Sequence, residues 1–181
     1  MVQHQIGMTG GFAFDIQAVC AGFVFALANA NALIVSGAAK RVMVIGAETF
    51  SRIMDWTDRG TCVLFGDGAG ALILEAADGD GTAQDRGVLA TDLNSDGTYR
   101  DILYVDGGVS TKTTGYLRME GKEVFRHAIE KLAATAHTAM NSAGVTSGDV
   151  DWVVPHQANI RIIKGTAKKM NVSMENVIVT V

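Results

Sequence analysis

Cysteine is scarce in this sequence, and the histidines show no metal-binding spacing. The 181 residues include 2 cysteines, Cys20 and Cys62, and 4 histidines. They form neither a Cys-x-x-Cys pair nor a His-Glu-x-x-His motif, the spacings typical of redox pairs and zinc sites. We therefore expect no disulfide scaffold, no bound metal and a reducing compartment.

The sequence also lacks an excess of basic residues, since its formal net charge is −4 at pH 7. This balance gives no overall electrostatic reason to bind nucleic acid or an anionic membrane, although a local basic patch can still meet an anionic ligand. Nucleic acid and membranes are therefore not expected partners.

One apolar run, residues 18–35, approaches the roughly 20 residues that span a bilayer. Asn29 and Asn31 interrupt this run, and Asp15 closely precedes it. Residues 1–5 contain neither lysine nor arginine, whereas a signal peptide begins with basic residues. We interpret the run as a buried helix of a soluble, cytoplasmic protein.

Apolar residues and glycine are abundant. Hydrophobic residues make up 48% of the chain, which suffices for a core. The 21 glycines cluster at the ends of segments, a pattern that indicates tight strand-to-helix junctions.

Hydrophobic periodicity predicts the helices and strands. Strands are predicted over residues 12–16, 42–46, 61–65, 69–74, 88–92, 151–154 and 176–181, and helices over residues 20–36, 120–142 and 160–170. We expect an α/β fold whose sheet is covered on both faces.

Cys20 lies where a strand-like stretch turns into the first predicted helix. The first-turn N–H groups and the helix macrodipole favour a negative charge there, so the thiol pKa can fall by one or more units from its free value of about 8.5. The small neighbours Ala18, Ala21 and Gly22 leave room for a substrate. Cys62 has no helix start near it, and we interpret it as a core residue.

His156 directly follows a predicted strand, 136 positions after Cys20 (156 − 20). Pro155 restricts the backbone before it, and Gln157 and Asn159 supply further hydrogen-bonding groups. Ligand clefts in open α/β sheets form at the carboxyl ends of strands. A thiol at a helix start together with an imidazole at a strand end predicts acyl-transfer chemistry.

Arg161, Lys164 and Lys168 recur on one face of the predicted helix 160–170. Such a stripe is either a solvated face or a surface that holds an acidic carrier protein or phosphate groups. The residues alone leave both interpretations open.

Residues 66–71, Gly-Asp-Gly-Ala-Gly-Ala, match the pattern of a dinucleotide-binding loop. That fingerprint requires a helix after the glycines, whereas residues 72–75 are predicted to be a strand. We therefore reject a dinucleotide site and expect close backbone packing at these glycines.

Three motifs together resemble one family. They are Ala-Val-Cys-Ala-Gly-Phe at residues 18–23, Thr-Asp-Arg-Gly-Thr at 57–61 with Leu-Phe-Gly-Asp-Gly-Ala-Gly-Ala at 64–71, and Trp-Val-Val-Pro-His-Gln-Ala-Asn-Ile-Arg at 152–161. In this order they resemble β-ketoacyl-acyl-carrier-protein synthase III, the condensing enzyme that begins type II fatty-acid synthesis. The resemblance implies a thiolase-like layered αβαβα fold, incomplete in this chain. Residues 1–79 would be the C-terminal part of its first half, and residues 80–181 the N-terminal part of its second.

The resemblance also implies roles for the two reactive side chains. Cys20 would accept the acyl group of a short acyl-CoA such as acetyl-CoA, and His156 would assist decarboxylation of malonyl-carrier protein. The family's third catalytic residue, an asparagine in a Gly-Asn-Thr-Ser segment, would lie beyond the equivalent of Val181. A homodimer and no cofactor are implied, and the truncated chain is expected to be weakly active or inactive alone.

Two binding sets follow from the same resemblance. The expected CoA contacts are Arg59, Gly60, Phe125, Ala158, Asn159 and Arg161, and the expected carrier-protein contacts are Gln157, Ala158, Asn159, Ile160 and Arg161. Lys122 stands where the family pattern has asparagine. The alternatives are a related synthase that loads another starter acyl group in polyketide or quinolone pathways, and a non-catalytic fragment that binds other polypeptides.

Overall fold

The chain forms four α-helices and two antiparallel strand pairs, and the computed structural model describes residues 1–181. The helices are α1 (Val2–Gln5), α2 (Gly22–Val35), α3 (Gly121–Ala143) and α4 (Ile160–Met170), and the strands are β1 (Arg41–Thr49), β2 (Asp67–Glu75), β3 (Leu103–Val105) and β4 (Leu117–Met119). Short 3₁₀ turns cover Val19–Ala21, Phe50–Ile53, Gly97–Ile102, Ser147–Asp149 and Met174–Asn176. No helix combines the length and the apolar composition needed to cross a membrane.

The larger sheet is the antiparallel pair of β1 and β2, which stay in register along their full length. Helix α2 covers one face: Val44 is buried there, and a Cβ added at Gly46 would lie 3.4 Å from the ring of Phe23. The opposite face carries Met43 and Ile45, which are exposed. The prediction that both faces are covered is therefore wrong for this chain, because no second layer packs on the outer face.

Arg118 on β4 connects the smaller hairpin to the chain that follows β1. Its Nε donates to Asp106 Oδ2 at 2.6 Å, and its Nη1 donates to Asp55 Oδ2 at 3.1 Å. Hydrogen bonds from Thr57 and from Arg118 lower the pKa of the Asp55 carboxyl. This ion-pair network fixes the loop that leads to Arg59.

Helices α3 and α4 pack closely, as their amphipathic patterns predict. Ile163 is 1% exposed and forms a core cluster with Ala167 and Val177. The helices approach at Gly165, where a Cβ would lie 2.7 Å from Ile129 Cδ1. The predicted helix 160–170 is confirmed in both bounds, and the predicted helix 120–142 differs by one residue at each end.

The predicted strands 151–154 and 176–181 form only one isolated parallel bridge, between Val153 and Val177. Val153 N donates to Asn176 O at 2.8 Å, and Ile178 N donates to Val153 O at 2.9 Å. The two segments therefore lie side by side with only a short backbone ladder.

Three other predicted strands are absent. Residues 12–16 and 88–92 have no regular structure and pair with no other segment. Residues 61–65 contain turns, in which the N–H groups of Thr61 and Cys62 donate to Asp58 O. An apolar run becomes a strand only where a neighbouring strand satisfies its backbone groups, which the local pattern does not reveal.

Candidate active site

Cys20 lies in the 3₁₀ turn Val19–Ala21, which leads directly into α2. The preceding residue, Val19, has φ 48°, which is a genuine outlier for a β-branched side chain. Backbone conformations of this kind cost about 1–3 kcal/mol and cluster at functional sites. The turn presents the thiol, which is exposed, at the amino end of the longest apolar helix of the chain.

The electrostatic surroundings of Cys20 differ from those predicted. Its side chain opens onto the cleft, yet protein atoms around the sulfur remove enough water to raise the thiol pKa above its ordinary value. The Glu48 carboxylate raises the pKa further, while the N–H group of Cys20 itself lowers it. The prediction of a lowered pKa is therefore wrong, because desolvation outweighs the helix end.

His156 lies in the loop between the Val153 bridge and α4. Its imidazole makes no hydrogen bond with protein atoms, and loss of water around the ring lowers its pKa from the ordinary 6.5. The ring is therefore neutral at pH 7, a state in which one nitrogen donates a hydrogen bond and the other accepts one.

Cys20 and His156 line the same cleft, whose volume is about 3080 Å³. Small-molecule pockets typically measure about 300–1,000 Å³, so this cleft is an open gap between α2, β1, α3 and the loop before α4. Most of the predicted site residues line it: Cys20, Gly60, Phe125, His156, Gln157, Ala158, Asn159 and Arg161. Arg59 and Ile160 lie outside its lining.

The structure brings Phe125 and Arg161 together from different helices. The guanidinium carbon of Arg161 lies 5.6 Å from the centroid of the Phe125 ring, which is a cation–π distance. Asn159 caps α4, since its Oδ1 accepts a hydrogen bond of 2.8 Å from the Arg161 N–H. The cap orients the start of the helix that carries Arg161.

Arg59 and Gly60 lie in a turn closed by Asp58, whose Oδ1 accepts a hydrogen bond of 2.9 Å from the Gly60 N–H. Both residues are exposed. Arg59 therefore stands at the surface beside the cleft wall that Gly60 lines.

The basic residues Arg161, Lys164 and Lys168 are all exposed on α4, and Arg161 also reaches Phe125 on α3. The stripe predicted from the sequence is thus a continuous surface next to the His156 loop. Of these three residues, Arg161 lines the cleft.

Two residues have roles that sequence reasoning missed. Glu48, near the end of β1, lines the cleft and acts on the Cys20 thiol. The available signal was a carboxylate two positions after the predicted strand 42–46. The side-chain amide of Gln157 forms hydrogen bonds within the chain, with Pro155, Ile178 and Thr180. No sequence signal pointed to that arrangement.

Residues 66–71 run into strand β2 and no helix follows them, as the sequence predicts. No group of three or more His, Cys, Asp or Glu side chains is placed to hold a metal ion. The arrangement at the cleft is a thiol, a neutral imidazole and nearby cations, which suits transfer of an acyl group from an anionic donor.

Comparison with protein families agrees with the three sequence motifs. The model of 3-oxoacyl-[acyl-carrier-protein (ACP)] synthase III matches residues 14–97, and the model of the C-terminal region of the same synthase matches residues 140–181. The chain is 76% identical over 181 residues to beta-ketoacyl-[acyl-carrier-protein] synthase III of Ruegeria sp. (strain TM1040) and 77% identical to that of Roseobacter denitrificans. All of this chain aligns in both cases, and it spans 56% of the length of each relative.

Solved structures give the same result. The 3-oxoacyl-[acyl-carrier-protein] synthase III of Aquifex aeolicus superposes with a TM-score of 0.89 at 42% identity, over 99% of this chain and 55% of that one. The priming β-ketosynthase of the R1128 polyketide pathway superposes with a TM-score of 0.84 at 33% identity, over 99% of this chain and 53% of that one. The predicted α/β thiolase-like fold, incomplete in this chain, is confirmed. This chain belongs to the 3-oxoacyl-[acyl-carrier-protein] synthase III family.

Proposed function

We propose that this chain carries the nucleophile and the histidine of a synthase that condenses a short acyl-CoA, acetyl-CoA first, with malonyl-carrier protein to begin fatty-acid synthesis. The observation that carries the proposal is that Cys20 and His156 line one cleft in a chain of this family. Residues 1–79 would contribute the thiol from the first thiolase-like half, and residues 80–181 the imidazole from the second. The 181 residues alone would be weakly active or inactive.

The first half-reaction is acyl transfer to Cys20. The thiol loses its proton, its sulfur attacks the thioester carbon, and the CoA thiolate leaves with that proton. Because the Cys20 pKa is raised, the thiol needs a base, and we propose that neutral His156, which lines the same cleft, accepts the proton. The N–H of Cys20 would stabilise the oxyanion.

The second half-reaction forms the carbon–carbon bond. Malonyl-carrier protein loses CO₂, and the electron pair of the broken bond forms an enolate whose oxygen receives a hydrogen bond from neutral His156. The carbanion end attacks the acyl carbon on Cys20, the carbon–sulfur bond breaks, and the thiolate takes up a proton from the solvent. The lowered pKa of His156 supports this role, since the uncharged ring persists at neutral pH.

The binding partners follow from the charges around the cleft. Arg161, stacked on Phe125 at 5.6 Å, together with Arg59 and Gly60, would receive the CoA phosphates and nucleotide. The exposed stripe of Arg161, Lys164 and Lys168 would receive the acidic carrier protein. As in the family, we expect a homodimer that works in the cytoplasm.

Acylation of the thiol tests the proposal directly. The chain is incubated with acetyl-CoA and digested, and the acetylated peptide is identified by mass spectrometry, with Cys62→Ser and Cys20→Ser as matched variants. We expect one acetyl group, on Cys20, which Cys62→Ser retains and Cys20→Ser loses. Acetylation of Cys62 with Cys20 unmodified would contradict the proposal.

A second candidate is a priming synthase that loads another starter group, as the likeness to the R1128 priming β-ketosynthase indicates. Competition among acyl-CoAs of increasing chain length distinguishes the two. Preferred labelling of Cys20 by acetyl-CoA supports initiation of fatty-acid synthesis, and preferred labelling by longer acyl groups supports the priming role.

A further inference from the structure

The side chain of Gln157, directly after His156, uses every hydrogen-bonding position of its amide. Nε2 donates to Pro155 O at 2.9 Å and to Ile178 O at 3.0 Å. Oε1 accepts from Thr180 N at 2.8 Å and from Thr180 Oγ1 at 3.2 Å. An amide has two N–H donors and two acceptor positions on oxygen, so nothing remains to bind a partner.

These neighbours determine the orientation of the amide. The reversed orientation would point Oε1 at two carbonyl oxygens and Nε2 at the Thr180 N–H, and all of those contacts would be repulsive. One orientation alone therefore satisfies both sides.

The amide continues a strand pairing that the backbone does not complete. The backbone bonds between the two segments lie at Val153, which donates to Asn176 O at 2.8 Å and accepts from Ile178 N at 2.9 Å. Beyond that bridge, no backbone hydrogen bonds join the two segments. The Gln157 side chain joins them there, because it bonds to Pro155 and to residues 178–180.

The imidazole has no anchor of its own, because His156 makes no hydrogen bond within the chain. Its position depends on the backbone on either side. The Val153 bridge holds one side, and the other is held by Gln157 and by the Asn159 cap of α4.

We propose that Gln157 is a positioning residue, whose amide clamps the His156 loop to residues 178–180 and so holds the imidazole at the wall of the cleft. The proposal rests on the function proposed above, which makes His156 the group that must be positioned. It replaces the expectation that the Gln157 side chain contacts the carrier protein.

The test compares Gln157→Met with Gln84→Met by nuclear magnetic resonance on the 181-residue chain. Methionine matches glutamine in length and lacks its hydrogen bonds, and Gln84 is exposed and makes no side-chain hydrogen bond. In Gln157→Met, hydrogen exchange at the Thr180 amide should accelerate by about tenfold, the factor expected for one lost bond. The His156 pKa should rise toward the ordinary 6.5, because the released ring regains water.

Loss of water lowers the His156 pKa, so a change in that pKa reports a change in the surroundings of the ring. Gln84→Met should change neither measurement. The amides inside α4 should keep their protection, since the Ile163 core does not involve Gln157. Gln157→Asn supplies the check on folding: it retains an amide that is too short to reach both sides, and it should shift the His156 pKa in the same direction.

An unchanged His156 pKa with an accelerated Thr180 amide would overturn the proposal, because Gln157 would then anchor residues 178–180 alone. An unchanged Thr180 amide would overturn it as well. Neither measurement depends on acylation, so failure of acetyl-CoA to label Cys20 in the unmodified chain would count against the proposed function and not against the clamp.

Discussion

At Cys20, desolvation and the helix end act on the thiol pKa in opposite directions. The N–H group at the start of the helix favours the thiolate, but desolvation and the Glu48 carboxylate favour the thiol, and together they raise the pKa. A protonated thiol resists adventitious oxidation and alkylation, since the thiolate is the reactive form. Its activation then depends on a base or on the bound substrate.

Replacing Glu48 with glutamine should make Cys20 react faster. The substitution removes a negative charge that raises the thiol pKa, so the thiolate fraction near pH 8 grows by up to about tenfold for each unit by which the pKa falls. The rate of iodoacetamide modification as a function of pH measures this. Glu175→Gln is the matched control, because Glu175 is exposed and lies near the far end of the chain; an equal gain in both variants would refute a specific action of Glu48.

His156 should make folding sensitive to mild acid. Its folded pKa lies below the ordinary 6.5, so the unfolded chain binds more protons in the interval between the two values. The free energy of unfolding therefore falls as the pH drops through 6.5 toward the folded pKa of His156. Below that folded pKa, His156 causes no further decrease in the free energy of unfolding. Urea unfolding of the unmodified chain and of His156→Asn, at several pH values between about 7 and about 5, should show a smaller loss in the variant; parallel curves would contradict the expectation.

At the scale of the elements, the contact between α3 and α4 positions the cleft wall. Helix α3 carries Phe125 and α4 carries Arg161, and the two side chains meet because the helices approach closely at Gly165. A glycine inside a helix normally costs about 1 kcal/mol relative to alanine. Here the missing side chain allows the close approach.

Gly165→Ala should therefore destabilise the chain in spite of its better helix propensity. The new Cβ would lie 2.7, 3.1 and 3.3 Å from three carbons of Ile129, and overpacking of this kind costs about 1–3 kcal/mol. Urea unfolding measures the net change, which we expect to be a loss of about 1 kcal/mol once the propensity gain is subtracted.

Two further variants make this test specific. Ile129→Val removes Cδ1, the nearest carbon, and should reduce the cost of Gly165→Ala in the double variant. Gly121→Ala is the control, because its nearest neighbour, Met119 Cε, is 3.7 Å away, and it should not lose stability. Equal effects of the two glycine substitutions would show that packing against Ile129 is unimportant.

At the scale of the whole molecule, the chain exposes far more surface than a compact protein of its mass. The accessible area is 12752 Å² for 19.1 kDa, whereas a compact monomer of that mass exposes roughly 8,400 Å². Only 12 of 181 residues are buried, so the apolar core is small. The open face of the β1–β2 sheet and the wide cleft carry much of this exposed apolar surface, and large exposed apolar patches favour association.

The isolated 181-residue chain should consequently associate in solution and bind a hydrophobic dye. Sedimentation velocity over a range of concentrations measures association, and 8-anilinonaphthalene-1-sulfonate fluorescence measures exposed apolar surface. Ile45→Lys, on the open sheet face where Ile45 is 44% exposed, should reduce association, while Val109→Lys, at a loop position 97% exposed and away from the sheet, should not. A chain that stays monomeric at every protein concentration and binds no dye would contradict this expectation.

The sequence alone determined what depends on neighbouring residues along the chain. Helix α4 was predicted in both bounds because its apolar spacing is a local feature, and α3 followed from its periodicity in the same way. The family was recognised from three contiguous motifs, each of which is readable without a fold. The position of Cys20 at a helix start is likewise a local property.

Only the tertiary structure decided what depends on residues distant in sequence. The runs 12–16 and 88–92 do not form strands because no partner reaches them. The Cys20 pKa is raised because surrounding protein atoms desolvate the sulfur and because the Glu48 carboxylate acts on it. The Gln157 amide is saturated because Ile178 and Thr180 lie beside it. Backbone pairing, desolvation and charge all act through space, whereas a sequence pattern records only the order of residues along the chain.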